Sequence, residues 1–130
     1  MKRVNVAVGV IINKQQQILL AMRHAHLHQG NKWEFPGGKV ENDETVSEAL
    51  IRELKEEVGL NVNSTISFMD ISHNYPDKQV FLQIHLVTDF SGLAIGLEGQ
   101  QIRWVDKADL CQYEFPAANL PILEKLLNQS

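Results

Sequence analysis

The chain reads as an α+β domain in which a mixed sheet carries packed helices. Three observations lead there. Val4, Val6, Val8, Val10 and Ile12 alternate with smaller or polar residues, the period of two that a strand needs. Val46, Leu50, Leu54 and Val58 recur every four residues, the apolar stripe of a helix. The other strand-like runs and a second helical run follow without regular strand–helix alternation, which argues against an all-parallel sheet.

The first strand-like run follows a basic tip, MKR. Asn5 and Gly9 interrupt it, Asn13 and Lys14 end it, and no small-residue cleavage site follows. It therefore reads as a strand and not as a signal peptide. Asn13 to Gln17 is turn-like, and Ile18 to Met22 is a second short strand. The stretch RHAHLHQGNK is a polar loop. Its His24, His26 and His28 lack the distant ligand pair of a zinc site. Lys32 to Phe35 is expected to be extended, because Pro36 disfavours helix before it. Pro36-Gly37-Gly38 is either a turn or a point of close backbone approach.

Thr45 to Val58 is the clearest helix. Thr45 with Glu48 three residues on forms a capping box, and Gly59 suits the left-handed residue that ends a helix. Ile66 to Tyr75 and Gln79 to Phe90 read as strands around PDK. SGLAIGLEGQ is a glycine-rich loop, and Gln101 to Val105 a further strand. Asn119-Leu120-Pro121 opens an amphipathic helix through Leu123, Leu126 and Leu127. With no linker or repeat, residues 1–130 are expected to form one domain.

Composition narrows the partners. The net charge is −4, which argues against a long nucleic acid and leaves a free nucleotide open. No apolar run is long enough to span a membrane. A single cysteine, Cys111, allows no internal disulfide and fits the cytoplasm. A monomer is expected.

The stretch RELKEEVG carries the chemistry. Glu53, Glu56 and Glu57 stand at i, i+3 and i+4 on one helix face. Like charges so placed cost a helix about 0.2–0.5 kcal/mol per pair. A hard divalent cation converts that repulsion into attraction. Magnesium takes oxygen ligands and commonly joins carboxylates to substrate phosphates. On the helix alone a solvated acidic face explains the cluster equally well. The wider pattern decides: Gly38-x5-Glu44-x7-Arg52-Glu53-Leu54-x-Glu56-Glu57-x-Gly59-Leu60 resembles the signature of the Nudix hydrolases at every fixed position.

That resemblance implies a mixed sheet sandwiched between helices and hydrolysis of a nucleoside diphosphate linked to another group. VAVGVI, WEFPGGKVE, EGQ and FPAANLP extend it to the MutT-like Nudix hydrolases along nearly the whole chain. Those enzymes act on oxidised purine nucleoside triphosphates, typically 8-oxo-dGTP. They use magnesium, with manganese able to substitute, and release the monophosphate and pyrophosphate. The resemblance implies that Glu53, Glu56, Glu57, Glu98 and the Gly37 carbonyl hold metal, with attack at the β-phosphorus. Glu53 is the candidate base and Glu98 its rival. Arg23, His28, Phe35, Gly38, Lys39, Lys78 and Asn119 would contact the nucleotide. Glu44, Arg52 and Gly59 would hold the motif together.

Asn119 bears on base choice. Guanine presents two acceptors, N7 and O6, on one edge. Oxidation at C8 places a hydrogen on N7, and an amide that donates and accepts then fits that edge. Asn119 equally suits a helix N-cap ahead of Leu120-Pro121. Lys78 stands where an arginine is common, and lysine stacks on planar groups less well. Two other functions compete: a pyrimidine nucleoside triphosphate pyrophosphohydrolase of the same fold, where an aspartate often replaces the asparagine, and a non-catalytic nucleotide-binding module.

Overall fold

The structure is a computed structural model that describes residues 2–25 and 30–128. Among the described residues, seven strands form two sheets. β1 (Lys2–Ile11) lies between β4 (Gly37–Lys39) and β6 (Lys78–Ser91), with β5 (Asn61–Tyr75) at the far edge. β1 runs parallel to β6, pairing Val4 with Val80 and Val8 with Ile84, and antiparallel to β4. β5 and β6 form a long antiparallel hairpin. The second sheet is antiparallel and places β2 (Gln17–Met22) between β3 (Trp33–Glu34) and β7 (Ile102–Asp106). A bridge between Ile12 and Ile18 links β1 to β2. The single mixed sheet expected from the sequence is thus divided in two.

The alternation in β1 serves two cores at once. Val8 and Val10 join Ile18, Leu20, Ile84, Phe115 and the C-terminal helix α2 (Leu120–Asn128). Ala7 and Ile11 join Leu19, Leu50, Leu54 and Val58 of helix α1 (Val46–Val58). Helices therefore cover both sides, which bears out the sandwich. The small residues of β1 matter here: a Cβ at Gly9 would stand 3.3 Å from Leu54 Cδ1. Bare backbone lets α1 lie close. Leu50 and Leu54 are fully buried, and truncating either to alanine would cost about 2–5 kcal/mol.

Helix α1 begins and ends as its residues dictate. The Thr45 side chain accepts from the Glu48 N–H, and Glu48 Oε1 accepts from the Thr45 N–H at 2.8 Å. Gly59 follows with φ 71°, a conformation that favours glycine, and the Leu60 N–H reaches back to the Leu54 carbonyl.

Three expectations need correction, and one open alternative is decided. β5 begins at Asn61 and not Ile66. Its first half is polar and carries register shifts at Val62/Ser64, Ser64/Ile66 and Ser67/Met69, which break the period of two, while pairing with β6 holds it extended. Lys78 belongs to β6, opposite Tyr75, so the hairpin turn is shorter than PDK. Of the two readings of Gly37 and Gly38, the structure selects close approach: both lie in β4, and a Cβ at Gly37 would fall 2.0 Å from the Ala7 carbonyl oxygen. In α2, Ile122 is buried while Leu127 is exposed, so the stripe is rotated from the one expected. A 3₁₀ helix at Lys107–Gln112 and a short one at Ala117–Asn119 complete the fold; no periodicity marks either.

Candidate active site

Helix α1, strands β3 and β4 and the loop before β7 meet around two adjoining cavities. The acidic one is walled by Glu34, Gly37, Glu53, Glu57, Glu98 and Gln100, among others. Glu53 and Glu57 are one helical turn apart on the face of α1 turned toward β4. Glu57 is buried, with 8% of its surface exposed. That burial, together with the nearby charges of Glu34, Glu98 and Glu53, pushes its carboxyl up to about 8, against a bond from the Gly37 N–H that favours the ionised form. Glu56 lies on the outer rim, 59% exposed, with Oε2 3.8 Å from Arg52 Nη1.

Arg52 organises this end of α1. Its Nε and Nη2 donate to the two oxygens of Glu44 at 2.7 and 2.9 Å, a bidentate pair. Nη1 donates to Glu53 Oε1 at 2.7 Å and Nη2 to the Lys39 carbonyl at 3.1 Å. The Arg52 pair, with the Glu41 N–H donating to Glu44 Oε1 at 2.9 Å, holds the Glu44 carboxyl down at about 2. One guanidinium thus joins the loop before α1, strand β4 and an acidic side chain of the cavity.

Glu98 reaches the cavity through its loop. The Gln100 side chain accepts from the Glu98 N–H at 2.9 Å and donates to the Glu57 carbonyl at 3.0 Å. The Leu97 N–H donates to that same carbonyl at 3.1 Å. The glycine-rich loop is therefore fastened to the last turn of α1, and Glu98 is carried to Glu57.

The second cavity, about 270 Å³, is mostly apolar, with walls from Val8, Phe35, Val80, Leu82 and Pro116. Its polar wall residues are few: Arg23, Glu34, Lys39, Tyr75, Lys78 and Asn119. Such a lining suits a small organic group held by a few directed contacts. Phe35 is buried and stacked on Phe115 with ring centroids 5.4 Å apart. Asn119 closes the short 3₁₀ helix before α2, and its side-chain amide makes no hydrogen bond to any described residue. Arg23, Glu34 and Gly37 line both cavities. The two cavities adjoin along these residues.

Of the residues singled out in the sequence, Arg23, Phe35, Gly37, Gly38, Lys39, Lys78 and Asn119 border the apolar cavity, and Glu53, Glu57 and Glu98 the acidic one. Glu44 and Gly59 are off the cleft, at the two ends of the motif. His28 lies outside the described residues. Trp33 and Trp104 line neither cavity and pack on Tyr113 and Phe90. Sequence reasoning missed Glu34. Its Oε1 accepts from Arg23 Nη1 at 2.6 Å, while burial raises its pKa. A lone acid between Trp33 and Phe35, just before Pro36, was the available signal. It also missed Tyr75, Pro116 and Ala118, which nothing local marks.

The donor set suits a hard divalent cation. Carboxylate oxygens predominate, and the Glu57 pKa is raised first by burial and then by the charges of Glu34, Glu98 and Glu53, which a cation would offset. Among the described residues no three of these acids converge on one point.

The NUDIX domain matches residues 7–125. Among curated proteins, the 8-oxo-dGTP diphosphatase of Escherichia coli K12 is 40% identical over 126 residues, 97% of this chain and 98% of that protein. The CTP pyrophosphohydrolase of the same organism is 37% identical, covering 98% of this chain and 93% of its own. A solved structure described in work on MutT from Aliivibrio salmonicida and Vibrio cholerae superposes with a TM-score of 0.86. It is 39% identical, and the match covers 99% of this chain and 100% of that one. A matching domain, near-full-length relatives and the acidic cleft agree, and the chain belongs to the Nudix family.

Proposed function

We propose that the protein hydrolyses 8-oxo-dGTP, and 8-oxo-GTP with it, to the monophosphate and pyrophosphate. It thereby keeps oxidised guanine out of DNA. The observation that carries this reading is the shared wall of the cleft. Arg23, Glu34 and Gly37 border both cavities, so a base against Asn119 leaves its phosphates facing the acidic wall. The diphosphatase relative above points to the same substrate.

Magnesium is the proposed metal, held by Glu53, Glu56, Glu57, Glu98 and the Gly37 carbonyl, with manganese able to substitute. When bound, it supplies charge neutralisation at the phosphate oxygens and acidifies water. The chain's own residues do the rest. Glu53 takes the proton of the attacking water. Arg52 holds one Glu53 oxygen and so fixes the carboxylate's direction. Arg23 and Lys39 bind phosphate oxygens, with Arg23 steadied by Glu34. Phe35 gives the base an apolar wall, and Asn119 donates and accepts along its oxidised edge. Attack at the β-phosphorus rests on the family resemblance. The protein acts as a monomer on free nucleotides in the cytoplasm.

A turnover screen with magnesium in ¹⁸O-water tests this reading. The expected result is the highest kcat/KM for 8-oxo-dGTP, with label in pyrophosphate and none in the monophosphate. The CTP-hydrolysing relative makes CTP the informative competitor. Faster turnover of CTP would transfer the assignment to pyrimidines. Absence of any magnesium-dependent pyrophosphate release would leave a binding module.

A further inference from the structure

The loop that carries Glu98 also closes the C-terminus of α1. The last carbonyls of a helix find no partner within it. Here the Ile95 N–H donates to the Val58 carbonyl at 3.0 Å, and the Leu97 N–H to the Glu57 carbonyl at 3.1 Å. Glu57 and Val58 are the last two residues of α1. Two backbone bonds therefore dock the loop on the helix end. Glu57 both borders the acidic cavity and offers its carbonyl to the loop.

Gln100 adds something different. It too borders the acidic cavity. Its side-chain nitrogen donates to that same Glu57 carbonyl at 3.0 Å, and its side-chain oxygen accepts from the Glu98 N–H at 2.9 Å. Gly99 lies between them with φ 80°, and its N–H donates to the Gly96 carbonyl at 3.1 Å. The chain turns back there, so one amide spans from the helix end to the Glu98 backbone. A carboxylate at this place could accept from Glu98 but not donate to Glu57, and a lysine could donate but not accept. The Glu98 carboxyl itself bonds no described residue, so its direction is set through its backbone.

We infer that Gln100 is a positioning residue for the metal: the two backbone bonds dock the loop, and the Gln100 amide, held by the Glu57 carbonyl, fixes the Glu98 backbone so that its carboxylate meets the cation on α1. The inference rests on the proposal above that Glu98 holds metal. Without the amide the loop stays docked while Glu98 loses its fixed direction. The cation must then order that carboxylate as it binds, which weakens binding more than it slows the filled site.

Gln100→Met keeps the length of the side chain and removes both bonds. Loss of one bond of this kind corresponds to about three- to tenfold. Amide hydrogen exchange at Glu98 should quicken by that factor, while exchange at Ile95 and Leu97 keeps its wild-type rate. Manganese, followed by the paramagnetic resonance of the free ion, should bind the nucleotide-free protein more weakly by the same factor. The magnesium concentration for half-maximal hydrolysis should rise to match, and kcat at saturating magnesium should fall less. In a Glu98→Gln background, Gln100→Met should weaken manganese binding no further. Unchanged manganese affinity in Gln100→Met, or a further loss in the Glu98→Gln background, would overturn the inference. Equal quickening at Ile95, Leu97 and Glu98 would overturn it too, by making Gln100 an anchor of the whole loop. Wild-type manganese affinity in Glu98→Gln would remove Glu98 from the metal site and this inference with it. A weakened Glu98→Gln beside an unaffected Gln100→Met overturns the inference alone.

Discussion

A side chain on Gly38 and the Glu53 carboxylate exclude one another. A Cβ at Gly38 would stand 2.3 Å from Glu53 Cδ and 2.5 and 2.7 Å from its two oxygens. The glycine is therefore the space in which the carboxylate lies, between β4 and Arg52. Gly38→Ala should fold, because a side chain can swing where a backbone could not. The swing displaces the candidate base, and a shift of about 1 Å can cost on the order of a hundredfold. The expected result is a melting temperature near wild type with kcat reduced by roughly that factor. Wild-type kcat in the folded variant would remove Glu53 from the chemistry.

The Glu→Gln series separates charge from shape. Each of Glu53→Gln, Glu56→Gln and Glu57→Gln keeps the helix; the first two remove an anion, and the third removes a carboxyl that must ionise before it can hold a cation. Hydrolysis at limiting magnesium should fall by roughly 10²–10³-fold or more in each. Stability should not fall in parallel. Glu57→Gln should raise the melting temperature of the metal-free protein, since the buried charge and its acidic neighbours are what lift its pKa. Turnover at the wild-type rate in any of the three would count heavily against the proposed metal site.

How much of this was legible in the sequence follows from where the information lies. Helix α1 was readable from Thr45 to Gly59 because its caps and its apolar stripe are local. The proximity of Glu53 to Glu57 followed from the same period. The start of β5 was not legible, because bulges break its alternation and only pairing with β6 keeps it extended. Glu34 and Tyr75 were missed for a related reason. Each enters the cleft by tertiary packing, and no local spacing marks either one. Glu98 was reachable only through the EGQ resemblance, whose physical basis is the Gln100 bridge between loop and helix.

The Glu57 carboxyl makes the site sensitive to pH. Its ordinary value is 4.5, and in the folded metal-free protein it stands near 8. Near pH 7 it is therefore mostly protonated, and a cation must displace that proton. Magnesium binding should release close to one proton per protein at pH 7, and affinity should climb as pH approaches 8. Stability has the matching sign. With the folded value raised, the favourable contribution is complete below pH 4.5 and is lost as pH rises through about 8. Melting in chelator from pH 4.5 to 8.5 should show this decline in wild type and flatten it in Glu57→Gln. Titration calorimetry in two buffers of different ionisation enthalpy counts the proton. A count of zero would mean that Glu57 is already ionised.

Asn119 decides what the cleft reads. Its amide borders the apolar cavity and bonds no described residue, so both its donor and its acceptor are available to a base. Against the oxidised edge the pair is matched; against normal guanine the amide carbonyl faces the N7 lone pair. A bidentate contact is worth about 1–3 kcal/mol of discrimination. Asn119→Ala should therefore weaken 8-oxo-dGTP binding by about ten- to a hundredfold and dGTP binding far less, so that the ratio collapses. The competing role is helix capping, which would cost about 0.5–2 kcal/mol of stability. Asn119 lies in the turn immediately before α2, so stability must be measured on the same variant. Binding of both nucleotides, compared well below the melting temperature, separates the two roles. Equal losses for both, accompanied by a lower melting temperature, would make Asn119 a cap. The oxidised-guanine assignment would then lose its physical basis, and the pyrimidine substrate would become the better reading.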